Sequence, residues 1–380
     1  MNRTSIVLLS YNTRELTQNC IESIRRYTPR GSYEIIVIDN ASHDGSVEWL
    51  REQKDIKLLE NQVNKGFPAG CNQGIALAEQ GNDIMLLNSD TIVTPRWLEN
   101  LQAALYSSET VGAVGPMAQE STNWQEVYAE YKNLDELISF ADKYNHSNTA
   151  AWMEMAKLLG FCFLIKNAVF QQIGLLDERF SPGNYEDVDY SLRITLAGYK
   201  LLICRDTFIH HYGHASFIYG STQQELVEKH EQYTDLIRSN FAKFSEKWHV
   251  TKHYIYFHDV CNEIHEEKEA VFRVVVIGCN AGVDLFYLRW NYPKADICGV
   301  TENSREAAIA GKNFDVCHCC DLEDNIEEAL WGKYDYILLA EEDKEYQDFD
   351  GYIGRLVKYL TPEGSIHICA AQEWRLNSDG

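Results

Sequence analysis

The 380-residue sequence has no surplus of positive charge: 34 Lys and Arg stand against 57 Asp and Glu, a formal net charge of −23. That deficit excludes nucleic acid as a partner and electrostatic docking on anionic lipid, both of which need clustered Lys and Arg. No apolar run approaches the roughly 20 residues that cross a bilayer, so no transmembrane segment is expected. The opening stretch, MNRTSIVLLSYN, is too briefly apolar for a signal peptide. Eleven cysteines occur without the spacing of a disulfide framework, which suits a reducing compartment. Internal repeats and low-complexity tracts are also missing. The expected location is the cytoplasm, including the periphery of the membrane's inner face. What remains is 45% hydrophobic and 24% charged, ordinary for globular protein, and long enough for two domains.

Apolar runs alternate with helical patterns through the first half. Strands are expected at Ser5–Leu9, Glu34–Ile38, Ile56–Leu59 and Ile84–Leu87. Helices are expected from Thr13 to Tyr27, from Ser46 to Lys54, and after the loop NKGFPAGCNQGIALAEQ. This alternation implies an α/β fold with a parallel sheet and ligand chemistry at its strand ends. Residues 119–157 read as helices and loops rather than sheet. LLGFCFLIKNAVFQQIG reads as a strand and a short helix, and LLICRDTFIHHYGHASF as a strand followed by a histidine-rich loop. Gln223–Trp248 has the pattern of a long amphipathic helix. The charged stretch around Glu263–Glu269 marks a linker, and five more strand-like segments from Phe272 onward form a second α/β unit. The expected division is 1–250, a linker 251–270, and 271–380.

Polar clusters stand at successive strand ends: Ser10-Tyr11-Asn12, Asp39 to Ser46, Asn88-Ser89-Asp90, EDVD from Glu186, and HHYGH from His210. Singly, each passes for a turn or a helix cap. Asp90 alone has two readings, a cap before Pro95 or a carboxylate holding a divalent cation on a phosphate. Five clusters in succession exceed what turns require.

In order, IVLLSYN, IIVIDNASHDGS, NKGFPAGCNQGI, LLNSD, GLLDERFSPGNYEDVDYSLR and HHYGHAS resemble glycosyltransferase family 2 of the GT-A fold, over the first 250 residues. The NSD form and the NKGF loop are closest to its rhamnosyl- and galactofuranosyl-type branch. The resemblance implies that Ser10, Tyr11, Asn12 and Asp39 hold the base and ribose of a nucleotide. Asn64, Lys65 and Asn72 would approach the ribose, diphosphate and donor sugar, beside Asn88 and Ser89. Asp90 would bind Mn²⁺ or Mg²⁺ with His210 or His211, imidazole suiting manganese better. His210 is preferred because it directly follows the strand, while His214 packs or faces solvent. Many relatives carry Asp where this chain has Asn88, which leaves one strong carboxylate and modest metal affinity without donor.

Asp187 is the expected general base, since a sugar hydroxyl attacks well only as its proton is removed. Glu186 would orient the acceptor, and Asp189 would pair with Arg193 at i,i+4. One base and no second carboxylate nucleophile imply direct displacement with inversion. The partners implied are a nucleoside-diphosphate sugar (dTDP-rhamnose or a UDP-hexose) and a glycan, lipid-linked or protein acceptor.

Residues 272–370 resemble the Rossmann-like core of S-adenosylmethionine-dependent methyltransferases, through VVVIGCNAG, ICGVTEN, CCDLED and YDYILLA. The departures are Val276 in place of an acid, Asn280 in place of the middle glycine, and Thr301 where the ribose-binding acid belongs, with Glu302 one residue on. The sequence stops after the fifth strand, so the domain is expected to be cut from a longer protein or a degenerate remnant. It is expected to be non-catalytic, serving docking or homo-oligomerisation. Two other readings are kept: a bifunctional enzyme that also methylates through S-adenosylmethionine, and a non-catalytic sugar-nucleotide scaffold.

Overall fold

The computed structural model describes residues 2–119, 121, 124–213, 223–251, 254, 256–341, 344 and 346–369. The chain divides into two compact units, Met1–Phe244 and Ser245–Gly380. Among the described residues no helix is long and apolar enough to cross a membrane.

In the first unit the order is β1 (Thr4–Ser10), α1 (Arg14–Tyr27), β2 (Tyr33–Asp39), α2 (Ser46–Arg51), β3 (Ile56–Glu60), α3 (Phe67–Ala76), β4 (Asp83–Asn88) and β5 (Thr91–Ile92). There follow α4 (Trp97–Leu105), β6 (Val111–Ala118), α5 (Leu134–Tyr144), β7 (Trp152–Met155) and β8 (Cys162–Ile165). The last four are α6 (Asn167–Ile173), α7 (Glu186–Leu196), β9 (Lys200–His211) and α8 (Gln223–Trp248). The sheet runs β3-β2-β1-β4-β8-β6-β9-β5, with β7 on β9.

β3, β2, β1 and β4 are parallel, and β1 and β2 are buried along nearly their whole length, as strands covered on both faces must be. Beyond β4 the expected parallel sheet gives way to a mixed one. β8 lies antiparallel between β4 and β6. An apolar run such as Cys162–Ile165 reports burial on both faces but not direction.

Two further expectations need correction. Residues 119–157 were expected to hold no sheet, yet Trp152–Met155 pairs antiparallel with β9. Four residues alternating partly and fully buried give too short a period-two signal to stand out. The strand before the histidines is longer than expected: β9 includes His210 and His211, which pair with Ile92 and Thr91 of β5.

In the second unit β10 (Arg273–Ile277), β11 (Asp296–Thr301), β12 (Asp315–His318), β13 (Tyr334–Leu339) and β14 (Leu360–Ile368) form one parallel sheet, ordered β12-β11-β10-β13-β14. The helices between them are α9 (Val283–Asn291), α10 (Ser304–Ala310), α11 (Ile326–Ala329) and α12 (Phe349–Leu356). Part of the stretch expected as linker belongs to this core: Val260, Cys261 and Ile264 are buried with Phe272, Val274 and Leu285. The neighbouring run of glutamates masked those three apolar positions.

Candidate functional site

Parallel pairing sets Ser10 beside Asp39, so the first two clusters share the carboxyl edge of the sheet. Asp39 is fully buried. Its Oδ1 accepts the Ser42 N–H at 2.9 Å, while Oδ2 has no protein partner. A buried carboxylate oxygen left open is costly unless something else donates to it. Asn12 sits at φ 53°, a left-handed conformation Asn tolerates, and joins the two loops: its N–H donates to Ser42 Oγ at 3.0 Å and its Oδ1 accepts the His43 N–H at 2.8 Å. Tyr11 is 38% exposed beside them. Ser10 is buried and accepts from Thr17 Oγ1 at 3.3 Å.

Asn40, which the sequence reading passed over, organises the next loop. Its Nδ2 donates to Asn64 Oδ1 at 2.8 Å, and its Oδ1 accepts from Asn61 Nδ2 and the Lys65 N–H at 2.9 and 3.2 Å. Asn64 and Lys65 are exposed. Gly66 has φ 82°, and a Cβ there would stand 2.9 Å from Pro182 Cα, so only glycine lets this loop lie against the one leading to α7. The Phe67 N–H donates to Pro182 O at 2.7 Å across the same contact. Asn72 needs correction. Its amide is spent inside the protein, on Leu176 O, Glu178 Oε1 and the Leu176 N–H at 3.0, 3.0 and 2.9 Å, so it braces α3 instead of reaching a sugar.

The triplet Asn88-Ser89-Asp90 turns the chain from β4 into β5. Ser89 and Asp90 are 6% exposed, and Ser89 Oγ faces Thr13 Oγ1 at 3.4 Å. Asn88 Oδ1 is buried without a partner. The pairing of β5 with β9 brings His211 Nε2 to 3.4 Å from Asp90 Oδ1, with the imidazole stacked on Phe161 at 5.0 Å between centroids. His210 faces the other way, since successive strand residues alternate. Its Nδ1 is 2.6 Å from Tyr131 Oη, and burial pulls its pKa down to about 4. The preferred histidine is therefore corrected from His210 to His211. His214 lies outside the described residues.

The residues fit a divalent cation held weakly. Carboxylate and imidazole face each other, and no group of three or more His, Cys, Asp or Glu that could hold a metal occurs among the described residues. The remaining ligands would be water and substrate phosphate.

Asp187 lies in the first turn of α7. Its Oδ2 accepts the Gly160 N–H at 3.0 Å and its Oδ1 the Val188 N–H at 2.8 Å. Phe161 follows directly, stacks on His211, and gives its carbonyl to the Asn88 N–H at 2.9 Å. Gly160–Phe161 thus ties Asp187 to the Asp90–His211 pair. Asp189 is fully buried and pairs with Arg193 at 2.9 Å, as its spacing implies.

Glu186 is 7% exposed with Oε2 unpartnered. Burial pushes its pKa up to about 8, and the Asp187 charge adds to the rise. The native state therefore keeps a proton that the unfolded chain gives up near 4.5. The stability from that proton is fully present below pH about 4.5 and is lost as pH rises through about 8. Glu186→Gln should accordingly gain on the parent as pH rises, with a melting-temperature advantage of a few degrees at pH ~9 over pH ~5. Melting curves across that range check it; a pH-independent difference contradicts it.

In the second unit a cavity of about 510 Å³ lies among Gly278, Asn280, Glu302, Glu306, Glu341 and Lys344. A Cβ on Gly278 would stand 2.6 Å from Glu341 Cγ, so that glycine makes room for the chain itself. Glu302 Oε1 already accepts from the Leu322 N–H at 2.9 Å and from Lys344. Asp321 Oδ1 accepts the N–H groups of Glu323 and Asp324 at 2.8 and 3.0 Å. Val276 is buried and apolar. These residues do not fit S-adenosylmethionine, because the positions that would hold its ribose and amine are engaged by the protein or lack an acid.

Residues 5–174 match the family model described as Glycosyl transferase family 2. That stretch, under half of the chain, is similar to glycosyltransferase family 2, and in the first unit it contributes most strands of the mixed α/β sheet described above. Glycosyltransferase AglE of Haloferax volcanii is 24% identical over 53% of this chain and 64% of its own length. The N-acetylglucosaminyl-diphospho-decaprenol L-rhamnosyltransferase of Mycobacterium tuberculosis is 24% identical over 56% of this chain and 76% of its own. The poly(ribitol-phosphate) beta-glucosyltransferase of Bacillus spizizenii is 34% identical over 24% of this chain and 15% of its own. The chain spans less than two thirds of AglE and a small part of the glucosyltransferase. Among solved structures, the mannosyltransferase PcManGT from Pyrobaculum calidifontis, in complex with GDP-Man and Mn²⁺, aligns at TM-score 0.43 and 17% identity, over 63% of this chain and 73% of that one. That likeness is too distant to carry an argument.

Proposed function

We propose that the first unit transfers a sugar, rhamnose or a hexose, from a dTDP- or UDP-linked donor to a hydroxyl of a glycan, lipid-linked or protein acceptor, with inversion. The observation behind this reading is the joining of Asp187 and Asp90–His211 through Gly160–Phe161. In this reading the link connects the base with the residues that would receive a departing diphosphate. Rhamnosyl and glucosyl relatives support the donor classes.

Asp39 Oδ2 and Asn88 Oδ1, buried and unpartnered, are the acceptors a nucleotide's N–H and hydroxyl groups would satisfy. Tyr11 and Asn12 follow Ser10, which pairs with Asp39, and would border the bound nucleotide. Asp90 and His211 would hold Mn²⁺ or Mg²⁺, which when bound neutralises the leaving diphosphate. Asp187 takes the acceptor hydroxyl's proton as the oxygen attacks the anomeric carbon from the side opposite the diphosphate. Glu186, protonated near neutral pH, can donate to an acceptor oxygen while Asp187 accepts. Residues 245–380 are proposed as a docking or oligomerisation module without methyl transfer.

A thermal-shift screen of the whole chain tests the reading. UDP- or dTDP-sugars with Mn²⁺ should raise the melting temperature by several degrees, since ligand at about 100 times Kd adds roughly 2.7 kcal/mol. S-adenosylmethionine should leave it unchanged. Shifts with S-adenosylmethionine and none with any nucleotide sugar would reverse the assignment.

A further inference from the structure

Glu186 and Asp187 stand in the first turn of α7, and the two residues before them set the direction in which that turn starts. Asn184 and Tyr185 both lie at φ 72°, a left-handed region that residues with a Cβ keep only where their surroundings hold them. Tyr185 caps α7 without a side-chain hydrogen bond, and its carbonyl accepts the Asp189 N–H at 2.9 Å. The start of the helix is therefore set by the backbone at 184–185 and not by a capping side chain.

The hold on that backbone comes from α8. Asn240 is 0% exposed, and its Nδ2 meets three carbonyls of one loop: Phe180 O at 2.9 Å, Gly183 O at 2.8 Å and Asn184 O at 3.1 Å. Its Oδ1 accepts from Lys243 Nζ at 2.8 Å, and the same Nζ donates to Arg179 O at 2.9 Å. Two turns earlier on the same helix face, Tyr233 Oη donates to Asn184 Oδ1 at 3.3 Å. The Tyr185 ring packs on Phe241 and Phe244, with centroids 6.0 and 5.6 Å apart. A fully buried amide is unfavourable unless it is paired, so an apolar residue would serve plain packing better here. On its other side the loop is tied independently, Pro182 O accepting the Phe67 N–H at 2.7 Å.

We infer that Asn240 is a positioning residue: from α8 it clamps the loop 180–185 and so fixes the Asp187 carboxylate against Gly160. The inference rests on the reading of Asp187 as the base. Asn240 touches no substrate in that reading and acts through Asn184 and Tyr185. A displacement of about 1 Å far from the chemistry can cost roughly 10²-fold in rate. The clamp thus bears on turnover, while the donor side depends on Asp39, Asp90 and His211, which other strands carry.

Hydrogen exchange of the full chain, read by peptide mass spectrometry, tests this without a known acceptor, because the Gly160 N–H reports the hold of Asp187 Oδ2. Asn240→Asp keeps the size of the side chain and replaces its donating NH₂ with an acceptor oxygen. It should speed exchange at Gly160 and in the first turn of α7 by about tenfold, with β1 and β2 unchanged. Tyr233→Phe, a milder cut, should act in the same direction by about two- to threefold. Adding Asn184→Gly to Asn240→Asp should restore part of the Gly160 protection, since glycine adopts φ 72° without being held. With UDP-glucose or dTDP-rhamnose, whichever binds in the nucleotide screen, Asn240→Asp should lower kcat for nucleotide release by up to about 10²-fold. KM for the donor and Mn²⁺-dependent UDP affinity should stay as in the parent.

Unchanged Gly160 exchange in Asn240→Asp and Tyr233→Phe would overturn the inference, as would acceleration spread evenly over the first unit, the mark of a general loss of stability. No recovery with Asn184→Gly, or a loss of UDP affinity as large as the loss of kcat, would overturn it too. Asp187→Asn keeps the two failures apart. If that variant retains full transfer while Asn240→Asp frees Gly160, the clamp stands and the base reading falls. If it loses transfer while Gly160 stays protected in Asn240→Asp, only the clamp falls.

Discussion

Asp187→Asn is expected to lower sugar transfer by about 10²–10⁴-fold, the usual contribution of a positioned general base, while donor affinity stays within a few-fold of the parent. The reason is where Asp187 sits. Both its oxygens accept backbone N–H groups, from Gly160 and Val188, and these contacts fix the orientation of the carboxylate. An amide has one acceptor oxygen and turns an NH₂ toward one of those donors. The variant therefore loses a backbone hydrogen bond as well as the base, at about 1–3 kcal/mol. That loss acts on stability and on the Gly160–Phe161 link. Transfer rate, calorimetric titration with donor and Mn²⁺, and a melting curve together separate the effects. If donor affinity falls as far as the rate, Asp187 is a structural residue and the base lies elsewhere.

The carboxylates proposed for the site were readable as candidates because each closes an apolar run or opens a helix. Asp39 ends β2, Asp90 follows β4, and Asp187 sits in the first turn of α7. A strand that stops at an acid announces its edge whatever the rest of the chain does. The choice between His210 and His211 was not readable. It depends on which face of β9 each presents, and that is settled by pairing with the two-residue strand β5, which has no pattern of its own.

Asn72 failed for a different reason. A polar residue in the right loop looks available until its partners are known. Asn72 is committed to backbone more than a hundred residues away. The direction of β8 and the burial of Val260, Cys261 and Ile264 were hidden likewise, because composition reports burial locally while direction and docking are set by distant contacts.

The second large effect concerns the pair that opposes Asp187. Asp90→Ala is expected to abolish the part of donor binding that depends on Mn²⁺, and to lower transfer by about two to three orders of magnitude, the usual cost of removing one element that stabilises developing charge. Asp90 is the triplet's one carboxylate, since Asn88 offers only an amide oxygen, so no neighbouring charge can replace it. His211→Ala should act in the same direction but less, weakening metal-dependent binding by about 10–100-fold.

A metal-bound imidazole normally has its second nitrogen fixed by an acceptor, yet His211 Nδ1 is buried without a protein partner. The tautomer is therefore not held by the chain, and metal affinity should be low until a donor's phosphates complete the coordination. Calorimetry should show weak Mn²⁺ binding alone and stronger binding with UDP, with that gain lost in Asp90→Ala. His210→Ala serves as the contrast, because its ring contacts Tyr131 and its loss should leave the metal-dependent gain in place. Equal gains in the parent and Asp90→Ala would remove Asp90 from the metal site, and loss of the gain in His210→Ala alone would return the assignment to His210.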